Sequence, residues 1–249
     1  MKTLLSILSL LFVVGATHAQ SNAANAQAVS IGANLKQMSL NPGKNTGYAA
    51  FQTYSSDNVK GSQFFYPTFK DGSVTTTDNE TFTGLYQFLF DKVRQELFIT
   101  SKADKRPQPE VLLAEKQQIK SFTITTDREH TFVVARKFDP TNINDFYEVL
   151  TKSDSGYTLL KFVKTTFVKN DQRDVAKMKR GEFYDEFVDK ETYYVSYKSG
   201  KPQEIGFKKR TMPNAFQPDK RAFVDDYTDN RVADVDEQYL IDLVVTANK

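Results

Sequence analysis

The chain has 249 residues, with 33 Lys and Arg set against 31 Asp and Glu, and it contains 20 Phe and 12 Tyr but neither Cys nor Trp. That near balance of charge gives no reason to expect a nucleic-acid partner or an electrostatic hold on a membrane surface. The missing cysteines exclude disulfides, thiolate metal sites, cysteine nucleophiles and a lipid-anchored cysteine.

The first 19 residues follow the three-part pattern of a secretory signal. Lys2 supplies the positive start, Leu4 to Val14 the apolar run, and Thr17-His18-Ala19 the small residues of a cleavage site. The run falls short of the roughly 18 apolar residues that span a bilayer, so cleavage after Ala19 is expected, leaving Gln20 as the mature N-terminus. No later stretch is apolar enough to form a spanning helix, and the mature protein is expected to be periplasmic or extracellular. A secreted chain without disulfides must rely on its own core, which suits a bacterial envelope protein.

Residues 20–46 are rich in Asn, Ala, Gln and Ser. They read as a flexible leader that buries too little apolar surface to order itself, with one short helix around Val29 to Met38 and a closing turn at Asn41-Pro42-Gly43. Residues 47–249 read as a single β-rich domain. Strands are expected at Phe64–Phe69, Gly72–Thr77, Thr81–Phe90 and Gln95–Thr100, the third apolar on both faces and therefore central. Further strands follow at Glu110–Ala114, Ile119–Thr125, Glu129–Lys137, Phe146–Thr151 and Tyr157–Val163, with Gly156 supplying a positive φ before the last. The charged stretch from Asn170 to Asp189 fits no period. Thr192–Lys198 and Gln203–Lys209 form a hairpin across Ser199-Gly200-Lys201-Pro202.

The period then changes. Pro218 suits a first helical position, Asp234 with Glu237 resembles a capping box, and Leu240, Leu243, Val244 and Ala247 make one apolar stripe. Helices are expected at 218–228 and 235–247, covering an open end or edge of the sheet. The fold class is mainly β: an antiparallel meander, as a curved sheet or partly open barrel or sandwich, with short C-terminal helices packed on it. Short lysine-bearing strands and a helical ending argue against a barrel in lipid.

Three segments carry a resemblance: Gly61 to Ile99, Phe146 to Phe162 and Tyr184 to Arg210, completed by the helical tail from Pro218 to Asn248. In this order they resemble a set of exported β-rich proteins of Bacteroidota to which no activity is assigned. The resemblance implies a Gram-negative envelope protein and brings no functional residues with it.

The residues themselves offer little catalytic chemistry. His130 is the one histidine of the mature chain, at the start of a strand and without a glycine-framed serine elsewhere, and it reads as a surface or strand-end residue. One histidine cannot build a zinc site. The acid pairs Asp185/Glu186, Asp225/Asp226 and Glu110/Glu115 are candidates for hydrolytic work only if they converge in space. The acidic run from Asp225 to Glu237 lacks the glycine and spacing of a calcium loop. The basic clusters at Lys177–Arg180 and Lys208–Arg210 have acids nearby and read as solvated faces, and Tyr194 is the tyrosine best placed for exposure. No cofactor is expected. The leading expectation is a non-enzymatic envelope protein, a binding or accessory module whose partner the residues do not name, another envelope protein or a small apolar ligand being the candidates. The alternative is a carrier of a small apolar ligand in a barrel-like cavity lined by Phe88, Phe90, Phe132, Phe146 and Phe162. A carboxylate hydrolase comes third.

Overall fold

The computed structural model describes residues 31–40, 59–106, 109–142, 144–170, 179 and 184–249. Residues 1–19, expected to be a signal, the rest of the expected leader and most of the charged stretch after Asn170 lie outside the described residues. The strands are β1 (Val59–Lys60), β2 (Gly72–Thr76), β3 (Thr81–Thr83), β4 (Tyr86–Asp91), β5 (Glu96–Ser101), β6 (Val111–Ala114), β7 (Ile119–Thr125), β8 (Glu129–Val134), β9 (Phe146–Thr151), β10 (Tyr157–Val168), β11 (Asp185–Tyr197) and β12 (Gln203–Ile205). The helices are α1 (Ile31–Leu40), α2 (Pro218–Asn230) and α3 (Glu237–Ala247). The fold is mainly β, as the alternation of side chains requires.

Among the described residues the strands form a nine-stranded sheet and a three-stranded one. The large sheet runs β3-β2-β7-β8-β9-β10-β11, with β12 and the short parallel strand β1 both pairing with β11. From β7 onward it is a simple antiparallel meander. The small sheet β4-β5-β6 is inserted between β3 and β7 in the chain, and it packs on one face of the large sheet, over β2, β7 and β8. Phe88, Phe90, Leu97 and Ile99 from one side meet Val74, Phe122, Phe132 and Phe146 from the other in a single buried core.

Several local expectations are corrected. Phe64–Phe69 is not a strand. Pro67 has no N–H to give to a ladder, and the segment instead bends around β4, Phe65 N–H donating to Phe90 O at 2.8 Å and Lys70 N–H to Phe88 O at 2.9 Å. Thr81–Phe90 divides at Gly84, whose φ of 74° turns the chain out of the large sheet and into the small one. Leu85 is exposed at that corner, whereas Leu89 is buried against Phe98 and Val111. β8 ends at Val134, before Lys137.

Gly156 does not take a positive φ. It is needed because a Cβ there would overlap the Asn248 side chain and lie 2.9 Å from Ser153 Oγ. Asn248 in turn mimics a neighbouring strand, accepting from Tyr157 N at 2.6 Å and donating to Tyr157 O at 2.8 Å. The β11–β12 turn closes on Lys198 and Ser199, both at positive φ (47° and 57°), with Gly200 N–H donating to Tyr197 O. Two successive residues at positive φ turn the chain at the start of the five-residue connection 198–202, and neither of them is glycine. The end of the charged stretch, which showed no period, forms the first part of β11, from Asp185. It pairs with β10 from Tyr157↔Tyr197 to Val168↔Glu186.

The leader, expected to be flexible, contributes to the core where it is described. Helix α1 seats Ile31 and Leu35 under β3 and β4, and Tyr86 OH donates to Leu35 O at 2.8 Å. Two well-spaced aliphatics are enough to dock a helix that a composition average reads as polar.

Helices α2 and α3 cover a face of the large sheet rather than its edge. Leu240, Leu243 and Val244 lie on Tyr157, Leu159, Tyr193, Val195 and Ile205. The cap of α3 is Asp236, which accepts from Tyr239 N–H at 2.8 Å, in place of the expected Asp234–Glu237 box. Tyr239 is buried, its ring flanked by Arg231 at 5.2 Å and Lys209 at 5.7 Å, yet its hydroxyl finds no hydrogen-bond partner among the described residues. An unpaired buried hydroxyl carries a desolvation cost. Tyr239→Phe keeps both cation–ring contacts and should raise stability by about 1 kcal/mol. Urea titration checks this, and a clear loss of stability would show that the hydroxyl is paired.

Candidate functional site

The registers place one residue from each of eight strands in a single row on the covered face: Phe82, Val74, Phe122, Phe132, Glu148, Lys161, Tyr193 and Ile205. The small sheet covers the first four, and the C-terminal helices cover the last two. Glu148 and Lys161 fall in the seam between these layers, where a row of otherwise apolar or aromatic side chains turns charged.

Partners from outside the row complete this polar inlay. Lys161 Nζ binds Glu191 Oε1 at 2.7 Å and Glu237 Oε2 at 2.9 Å, and Tyr193 OH donates to the same two carboxylates at 2.8 and 2.9 Å. Glu148 lies 2.7 Å from His130 Nδ1, and the Arg128 guanidinium stands 3.7 Å from Glu148 and 3.8 Å from Glu237. Burial alone would push the Glu237 carboxyl up. Hydrogen bonds from Lys161 and Tyr193, with the charges of Lys161 and Arg128, outweigh it and hold the group below the usual carboxylate range. Burial likewise pulls on Lys161, but its two carboxylate partners raise it above the usual lysine value. Burial and the same two acceptors push the Tyr193 phenol far up, so it remains a donor.

His130 is therefore not a surface residue. It is only 12% exposed, packs edge-on to Phe65 with ring centroids 4.9 Å apart, and has Thr126 Oγ1 3.2 Å from Nε2. Hydroxyl, imidazole and carboxylate in that order outline a nucleophilic triad. The Thr126 hydroxyl, however, donates to Asp127 Oδ1 at 2.6 Å, so the proton a base would remove is already given to a carboxylate.

The other acid candidates do not converge on a cleft. Glu110 is buried beside Arg106, which also binds Asp104. Glu115 accepts from the Gln118 side chain, Asp185 accepts from Asn170 N–H, and Asp225 and Asp226 are exposed on α2. Among the described residues no group of three or more His, Asp or Glu is placed to hold a metal ion. Of the basic clusters, Lys208 and Arg210 are exposed and Lys209 donates to Arg231 O, while the other cluster lies outside the described residues apart from Lys179.

The five phenylalanines expected to line one cavity do not share a face. Phe88, Phe90, Phe132 and Phe146 are packed into the core between the sheets, Phe90 touching Phe122, Phe132 and Phe146 at centroid distances of 5.2, 5.1 and 5.9 Å. Phe162 lies on the opposite face of the large sheet, with Val133, Tyr147, Val149, Leu160 and Tyr194. Tyr194 is half-buried there, 5.5 Å from the Tyr147 ring.

This second face carries a hollow of about 360 Å³. After β8 the chain makes a tight turn at Ala135–Lys137 and folds Phe138 back against Tyr147, forming one wall. The opposite wall is the β9–β10 turn at Lys152, Ser153 and Asp154, held by Thr158 Oγ1 donating to Ser153 O at 3.2 Å. Val133, Val149, Thr131 and Ser121 line the space between. Sequence reading missed it because the wall residue Phe138 arrives by a turn rather than by strand alternation.

No protein-family model matches this chain, and no curated protein or solved structure compared with it matches either.

Proposed function

We propose that this chain is an exported envelope protein that works by binding rather than by catalysis, and that it holds a small, largely apolar ligand in the hollow on the outer face of the large sheet. The observation that carries the reading is the hollow itself. Its volume falls within the range of about 300–1,000 Å³ usual for small-molecule sites, and apolar walls with a few polar groups are their common lining. The binding reading also draws support from the inlay, whose carboxylates, imidazole and ammonium are committed to one another and offer no group poised for acid–base work. Export rests on the signal pattern of residues 1–19 and on the resemblance to exported Bacteroidota proteins.

The test uses the protein as cells deliver it. Material from the non-cytoplasmic fraction should have the mass of a chain beginning at Gln20. That mature form should bind the neutral dye Nile red saturably, and Thr131→Trp, which fills the hollow from β8, should abolish the signal. A melt confirms that the variant folds, and Ser121→Trp repeats the block from β7. Binding of equal strength in both folded variants, or none in the unmutated protein, would overturn the ligand reading.

A further inference from the structure

We infer that the ligand of this hollow is an amphiphile whose apolar body carries an anionic head, an inference that rests on the binding reading above. The rim holds three lysines, Lys120, Lys137 and Lys152, against one acid, Asp154. Among the described residues, none of the three ammonium groups has its charge cancelled by a tight ion pair. Lys120 Nζ donates to the amide oxygen of Asn79 at 2.6 Å, which satisfies a hydrogen bond but supplies no counter-charge. Lys137 sits 5.3 Å from the centroid of the Phe138 ring, a contact with a quadrupole rather than an anion. Lys152 and Asp154 are 3.9 Å apart and 73% and 87% exposed, a separation and exposure at which a pair contributes little.

The outcome is a small apolar recess under a positively charged lip. A carboxylate, sulfate or phosphate at the lip would gain charge-assisted hydrogen bonds from the lysines, while its hydrocarbon displaced water from Val133, Phe138 and Val149. A hollow near the small end of the usual range suits a single chain or ring system and not a two-tailed lipid. The same chemistry could reach the protein as a free amphiphilic acid or from a bilayer, and the experiment separates these sources.

Decanoate, decanol and decylamine share one tail and differ only in the head. At neutral pH and below their aggregation limits, each is titrated against protein loaded with Nile red. Decanoate should displace the dye about tenfold more effectively than decanol, with decylamine weakest, as two or three exposed charge contacts would produce. Lys137→Glu and Lys152→Glu, both at exposed positions, should each remove most of that preference, read as the ratio of decanoate to decanol displacement, while a melt checks that each variant folds. High salt should compress the difference as well.

Equal displacement by decanoate and decanol, or a preference untouched by both lysine variants, would overturn the anionic head while leaving the apolar site standing. Displacement by none of the three would sink the hollow as a binding site altogether. Co-sedimentation with vesicles of phosphatidylglycerol and phosphatidylethanolamine is the last arm. Sedimentation that decanoate competes away supports the same lip acting on a lipid head. Sedimentation without any decanoate binding would overturn the small-molecule class.

Discussion

Gly72→Ala should be the most damaging single substitution in the sheets, costing about 3–5 kcal/mol. Gly72 opens β2 opposite Ile124 of β7. A Cβ at this position would stand 2.9 Å from the carbonyl carbon of Thr123, closer still to its oxygen, and 3.2 Å from Phe88 Cδ2. The first two atoms are backbone of the neighbouring strand and cannot rotate away, so the β2–β7 pairing must open. A loss of that size is a large part of the roughly 5–15 kcal/mol that holds a typical domain. Gly84 is the control. Its φ of 74° strains any side chain, but nothing lies within 4 Å of a Cβ there, so Gly84→Ala should cost only about 1 kcal/mol. Urea midpoints of the two variants test this, and similar small losses in both would mean that the strands at Gly72 are not in such close contact.

Lys161→Met should cost about 2–3 kcal/mol, because it keeps the buried stem and strands the carboxylates around it. The figure stays below that for a fully buried pair, since Glu191 and Glu237 are 46% and 28% exposed and water screens them in part. The loss should depend on pH with a definite sign. The folded state holds the Glu237 carboxyl below its ordinary value of 4.5, so its contribution is present above that pH and disappears as pH falls through the lower folded value. Lys161 is held above its ordinary 10.5, so its contribution is present below that pH and fades as pH rises through the higher folded value. The stability gap between the unmutated protein and Lys161→Met should therefore be widest between these limits and should close toward strong acid. Glu237→Gln should flatten the acid limb. Denaturation curves across that range decide the matter, and a gap that is constant with pH would show that the inlay carries no linked charge.

The strand–turn rhythm was legible from the residues, and so were both C-terminal helices. In β4, alternation put Phe88 and Phe90 on one apolar face and Leu89 on the other, but the strand it made central lies at the edge of the small sheet, and the rings it offered as a cavity lining are packed core. Where the reading went astray, the deciding force was not local. Phe64–Phe69 alternates well enough for a strand, but it lies against the outer side of the small sheet, where Phe64 and Phe69 pack on Leu89 and Phe98. Glu237 has the spacing of a capping residue, yet it turns toward Lys161, 76 positions away in the chain. His130 has the neighbours of a solvated strand end, but Phe65 and Glu148 close over it.

What the sequence determined by itself was the period of each segment, and hence which side chains share a face, because alternation is a property of the backbone within a few residues. It also determined the chemical inventory: no thiol, one histidine beyond residue 19, charge in balance. Tertiary structure alone decided which faces meet. The insertion of the small sheet between β3 and β7, the polar seam where two covering layers stop short of each other, and the lysine-rimmed hollow behind Phe138 all depend on contacts between distant segments. Such contacts are chosen by the burial of whole surfaces, which no short window of residues encodes.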